Sequence, residues 1–161
     1  MADDELLATY LNDHHAGGAG ARDLIAKSAA NNEGTALGGF LSSLLTAIEE
    51  DIAALEDIME RLGVPQAALK QAAGRVAEKL SRLKLHERVV GDAGVSQLME
   101  LEALSGGITV KAALWRTLTE LARTDARLAG VDLQGLSGRA RDQLQQVAEH
   151  HRQVAATTFG R

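Results

Sequence analysis

Leu37, Leu41, Leu44, Ile48, Ile52, Leu55, Met59 and Leu62 recur three or four residues apart. That period keeps them on one face of an α-helix of about seven turns, and the two-residue alternation of a half-buried strand cannot reproduce it. A helix this long with one apolar face has to lay that face against other helices. Gly63 suits the residue just past its end, and Pro65 suits the first turn of whatever follows. The spacing therefore predicts a helix over about 35–62 and asks the rest of the chain for partners.

Four more segments supply them. Over about 3–30, Leu7, Leu11, His14, Gly18, Ala21 and Ile25 keep the same period, and Asn31-Asn32-Glu33-Gly34 ends the run. A third segment, about 66–90, carries Leu69, Ala73, Val76, Leu80, Leu83 and Val90, then stops at Gly91-Asp92-Ala93-Gly94. A fourth, about 95–128, has Leu98, Leu101, Leu104, Ile108, Ala112, Trp115 and Leu118, with a kink or short break expected at Gly106-Gly107. The fifth, about 137–158, shows Ala140, Leu144, Val147, His151 and Val154, with Ser137 as the expected N-cap.

Composition agrees with an all-α reading. Of the 161 residues, 45 % are apolar, enough for a full core, but only 2 % are aromatic, so leucine, alanine, valine and isoleucine must build it. Proline occurs once, at Pro65, which leaves little of the turn punctuation a β-rich domain needs. Cysteine is absent, which excludes disulfides, thiolate chemistry and cysteine-type zinc sites. Asp3, Asp4 and Glu5 are the reverse of a secretory n-region, and no apolar run approaches membrane-spanning length. The expectation is a cytoplasmic protein without a membrane segment. A net charge of −5 argues against a nucleic-acid partner, which needs clustered positive charge.

Residues 1–161 are expected to form a single helical-bundle domain of about five helices, because short connections make consecutive helices antiparallel. One arrangement is a simple meander. In the other, helices 1, 2, 4 and 5 form the core and helix 3 returns the chain along the bundle's length, as in the ferritin-like topology. The strings Tyr10-Leu11-Asn12-Asp13-His14 and Ala113-Leu114-Trp115-Arg116, with the helix order over nearly the whole chain, resemble an uncharacterised bacterial family of small ferritin-like bundles. The resemblance implies the second arrangement, a four-helix core with helix 3 as crossover.

Ferritin-like di-iron proteins use Glu-x-x-His, because residues three apart on a helix project on the same side and can share a metal. Leu11, Asn12, Leu83, Val147 and Ala148 stand three residues before His14, His15, His86, His150 and His151. No Glu-x-x-His exists, so a conventional di-iron site is not expected.

Polar residues on apolar faces are the remaining candidates. His14 lies on the first helix's stripe beside Gly17, Gly18 and Gly20, each of which lowers helix propensity by roughly 1 kcal/mol relative to alanine. It is either a core histidine bonded to one partner or part of a site. Asp51 falls just off the Ile48–Leu55 stripe at the same height, so an Asp51–His14 contact that raises the histidine pKa is expected. His14, Asp51, Trp115, Glu149 and His151 fall in the middle third of the bundle, and their convergence would make a polar ligand pocket. Against that stands a solvated His150–His151 pair at a helix edge. Glu100 and Glu102 interrupt an apolar run, and Glu100, on the face of Leu104 and Trp115, is the better candidate for a buried acid with a raised pKa.

Charge runs offer less. Glu49, Glu50, Asp51, Glu56, Asp57 and Glu60 make the second segment acidic, and Lys70, Arg75, Lys79, Arg82, Lys84 and Arg88 make the third basic. Antiparallel pairing would set Glu50 near Lys79 and Glu60 near Lys70 as exposed ion pairs of small worth. Two functional expectations follow. The first is a non-catalytic interaction or structural protein, homodimeric through apolar surface left on the fourth helix. The alternative is a divergent ferritin-like binder of a metal or small ligand, built on His14 with Asp51, Glu149 or His151.

Overall fold

A computed structural model describes residues 3–65 and 92–160. Among them the chain is all-α: helices α1 (Asp4–Asn31), α2 (Ala36–Arg61), α3 (Ala93–Leu121) and α4 (Leu133–Phe159), with a short 3₁₀ turn at Ala126–Leu128. The expected third helix, together with the Glu50–Lys79 and Glu60–Lys70 pairings and the basic strip, lies outside the described residues.

Each helix starts where a side-chain oxygen can take up free backbone N–H groups. Asp3 accepts from the amides of Glu5 and Leu6, Thr35 from Gly38, Asp92 from Gly94 and Val95, and Asp132 from Gly135. The last of these corrects one expectation. Asp132 caps α4 five residues before Ser137, which sits inside the helix. A second correction concerns α3, which ends at Leu121, not near 128. Asp125 binds both the amide and the guanidinium of Arg127, and that local bonding competes with continuation of the helix. The short break expected at Gly106-Gly107 does not occur, and α3 runs as one helix through both glycines.

The α2 stripe is buried as its period requires, from Leu37 to Leu62, with Ile52 alone partly exposed. It packs in one core with Leu11 and Ile25 of α1, Leu104, Ile108, Trp115 and Leu118 of α3, and Ala140 and Val147 of α4. Contacts are densest within two hairpins, α1–α2 and α3–α4. The turn between α1 and α2 is tight. Gly34 has φ +78°, and a Cβ on Gly38 would fall 2.0 Å from the Asn32 carbonyl oxygen, so both positions require glycine.

Cross-bundle pairs give the helix directions. Tyr10 of α1 meets Thr117 of α3 and Ser28 meets Glu100, so these helices are antiparallel. Phe40 of α2 stacks on His150 of α4, ring centroids 4.1 Å apart, while Glu50 reaches Arg139. Hence α2 and α4 are antiparallel too. With the hairpins, the order is up, down, down, up. Arg127 gathers one end of the bundle, donating to the Leu62 carbonyl at 3.1 Å and to Asp4 at 2.9 Å. The start of α3 lies at the other end, where Gln97 donates to Asn32 at 2.6 Å.

Candidate functional site

The seam between α1 and α3 is fastened at both ends and open between them. At one end the Tyr10 hydroxyl donates to Thr117 at 3.2 Å. At the other, Ser28 donates to Glu100, and Gln97 to Asn32. Between these fastenings a cavity of about 400 Å³ reaches inward to α2. Its mouth carries Asp13 and Gly17 of α1 with Gly107 and Val110 of α3, all exposed. An added Cβ at Gly17 or Gly107 would meet nothing within 4 Å. The glycines therefore leave the mouth wide, and this is what the helix gains where they weaken it.

The walls are apolar: Ile25, Ile48, Ile52, Leu55, Leu104, Ile108 and Leu114. Polar groups enter at few points. Trp115, 1 % exposed, lines the cavity, and its Nε1–H has no hydrogen-bond partner among the described residues. An indole nitrogen can only donate. Leaving such a donor buried and unpaired costs about 1–3 kcal/mol.

Asp51 also lines the cavity, 2 % exposed. Its Oδ2 accepts from Lys111 Nζ at 2.5 Å and from Gln143 Nε2 at 3.1 Å, and its Oδ1 from Arg139. Lys111 donates to Gln143 as well, and Arg139 reaches outward to Glu50 at 3.3 Å. Two cations thus surround one buried carboxylate. Burial pulls the Lys111 ammonium below its ordinary pKa, Asp51 opposes that shift, and Arg139 adds to it.

His14 and Asp51 share the cavity wall but do not form the expected pair. Asp51 is taken by Lys111, Arg139 and Gln143, while the His14 ring sits edge-on to Tyr10 at 4.5 Å. The histidine–acid contact between α1 and α2 is made one residue on, by His15 and Glu56 at 2.7 Å. The direction of the His14 shift is likewise reversed: burial lowers its pKa, with Asp13 acting the other way.

That shift has a testable sign. The unfolded chain takes up a proton on His14 near pH 6.5 while the folded chain still resists it, so stability falls as pH drops below that value. The thermal midpoint is expected to be lower at about pH 5.5 than at about pH 7.5, and His14→Gln should reduce the drop. An equal drop in both proteins would show that His14 does not carry it.

The other sequence candidates lie elsewhere. Glu149 is exposed and bonds Arg152 and Gln153 on its own helix. His151 bonds Glu102 at 3.1 Å near the surface, so neither joins the cavity, and Glu102 is not buried. Glu100 is half-buried and accepts from Ser28 across the seam. The five-residue convergence therefore reduces to His14, Asp51 and Trp115.

Sequence reasoning passed over Lys111, Arg139 and Gln143. A signal existed for two of them. Leu104, Ile108, Lys111, Trp115 and Leu118 keep helical spacing, as do Leu136, Ala140, Gln143 and Val147. Lys111 and Gln143 occupy stripe positions, and Asp51 lies just off one. Arg139 stands one residue off its stripe, and only the structure shows its tie to Asp51.

Among the described residues, no group of three or more histidines and acids could hold a metal ion, and no helix is long and apolar enough to cross a membrane. No family model, curated protein or solved structure matches this chain. The reading of its function rests on the cavity.

Proposed function

We propose that this protein binds a small, largely apolar ligand between α1 and α3 without transforming it. The observation that carries this reading is the open cavity of about 400 Å³ between α1 and α3. Its size falls within the usual range for small-molecule sites, about 300–1,000 Å³, and its few polar groups on apolar walls match their usual character. A purely structural bundle gains from a filled core, since each lost contact lowers stability. Here two helices instead carry glycines at the mouth. Asp51 and Lys111 neutralise one another, and among the described residues that line the cavity no pair resembles a nucleophile with its base, which favours binding over catalysis.

The small-ligand form of the reading has more support than the metal form, which needs a ligand cluster. The up, down, down, up helix directions support a ferritin-like description of the bundle. The cysteine-free composition supports a reducing, cytoplasmic location. For a homodimer, the exposed Leu6, Val110 and Phe159 lie at three separate places, and single exposed apolar residues are ordinary on monomers.

Trp115 is the chain's single tryptophan, so its emission reports on the cavity wall. Titration with N-phenyl-1-naphthylamine, an uncharged apolar fluorophore, is expected to quench Trp115 with saturation at one site per chain. Non-saturating uptake, or unchanged Trp115 emission while the probe binds, would overturn the reading.

A further inference from the structure

We infer that the cavity takes an elongated, uncharged ligand bearing one hydroxyl, which the ring nitrogens of His14 hold while the hydrocarbon part lies toward Ile25 and Leu104. This rests on the ligand-binding reading above and names the ligand's class.

The cavity is polar toward one end only. Pairing of Tyr10 with Thr117 and Ser28 with Glu100 sets His14 near the level of Leu114, and Ile25 near that of Leu104. A Cβ on Gly18 would lie 3.2 Å from Ile52, so Asp51 stands about level with the middle of the cavity. Tyr10, Asp13, His14 and Lys111 lie between that level and the Tyr10 end. Toward Ile25 the lining is Ala21, Ile48, Leu104, Gly107 and Ile108, without a polar side chain. From His14 to Ile25 the wall runs about 16 Å, at about 1.5 Å per residue.

At the polar end His14 is the group left to bind something. Lys111 donates to Asp51 and Gln143, and Arg139 to Asp51 and Glu50, so both cations are already balanced. The Tyr10 hydroxyl donates to Thr117. His14 lines the cavity with its ring edge-on to Tyr10, and neither ring nitrogen has a hydrogen-bond partner among the described residues. The enclosed side-chain atoms without a partner are Asn12 Oδ1, Trp115 Nε1 and Arg139 Nε. The nitrogens of half-buried His14 are not among them and stay reachable.

The ring's own chemistry selects the head group. Burial holds His14 below its ordinary pKa, so the imidazole is neutral at about pH 7.5. A neutral imidazole presents one N–H donor and one acceptor nitrogen, and a hydroxyl answers both. A carboxylate answers only the donor, and it meets Asp13 at the mouth with no uncommitted cation among the described lining residues. An ammonium answers only the acceptor, and exposed Asp13 adds little for it in water. At about 30 Å³ per water-sized group, a cavity of 400 Å³ accommodates roughly a dozen non-hydrogen atoms.

Octan-1-ol, its isomer 1-methoxyheptane, octanoate and octylammonium have similar size and differ in the head. Each is titrated into the full chain at about pH 7.5, where the last two are ionised, and read by displacement of the naphthylamine probe and by calorimetry. Octan-1-ol is expected to bind about fivefold tighter than the ether, the effect of one hydrogen bond, and at least about tenfold tighter than either ion, which must shed its hydration. His14→Phe should abolish the difference between alcohol and ether. His14→Leu is read the same way, so that the result does not hang on how a phenyl ring packs. His14→Gln, which keeps a donor and an acceptor, should retain the difference.

Equal affinity for octan-1-ol and its ether in the unaltered protein overturns the hydroxyl assignment and leaves the cavity reading standing. Tighter binding of either ion, or binding of the probe with none of the four ligands, does the same. A preference that persists in both His14→Phe and His14→Leu overturns the role of His14. Failure of the probe and of all four ligands to bind sinks this inference and the cavity reading together.

Discussion

Asp51→Ala is expected to lower the unfolding free energy by about 3–5 kcal/mol, the range for removing one partner of a buried ion pair. The carboxylate is 2 % exposed and accepts from three side chains on two other helices. Without it, Lys111 and Arg139 face one another across a largely desolvated space. Arg139 keeps Glu50 and reaches water, so most of the loss falls on Lys111. Adding Lys111→Met to Asp51→Ala should therefore return part of the stability, a coupling of about 0.5–3 kcal/mol. Urea denaturation of the two single variants and the pair measures it. A loss under about 1 kcal/mol for Asp51→Ala would mean that water already reaches this cluster in solution.

The second large effect is on binding, and stability moves the opposite way. Gly17→Leu combined with Gly107→Leu places two side chains at the mouth, where an added Cβ meets no atom within 4 Å at either position. Affinity for the naphthylamine probe is expected to fall by more than about tenfold, since displaced apolar contact is worth roughly 0.8 kcal/mol per buried CH₂. Both glycines lie within helices, and replacing each with leucine recovers most of the roughly 1 kcal/mol by which glycine disfavours a helix. The thermal midpoint should therefore rise by a few degrees, about 2–4 °C per kcal/mol for a chain of this size. Denaturation scans and the fluorescence titration are run on the same samples. Unchanged affinity with a raised midpoint would show that ligands enter elsewhere.

Helix positions followed from the apolar period wherever each helix had a continuous stripe to bury. The expected 35–62 became Ala36–Arg61, and 3–30 became Asp4–Asn31, because core packing and local chemistry agree at those ends. They diverge at 121–133. There the apolar Leu128 extends the pattern, but the bonding of Asp125 to Arg127 turns the chain out of the helix. The same distinction applies to the site. His14 and Trp115 stood out as a histidine and a tryptophan in apolar stripes, and both line the cavity. Heights along a helix follow from counting residues, so Asp51 could be set level with His14. Which partner a buried carboxylate takes depends on the rotation of four helices about their axes, and no spacing within one helix encodes it. Lys111 raised no expectation, because a lysine is almost never fully buried unless paired.

The cavity is walled by both helices of the first hairpin and only one of the second. Each hairpin is closed by local contacts and can form quickly, whereas docking one on the other requires distant parts of the chain to meet. A ligand in the seam therefore bridges the interface expected to consolidate last. Its stabilisation should appear almost wholly as slower unfolding, with the refolding rate nearly unchanged. Occupancy would then lengthen the lifetime of the native protein more than it eases the route to it.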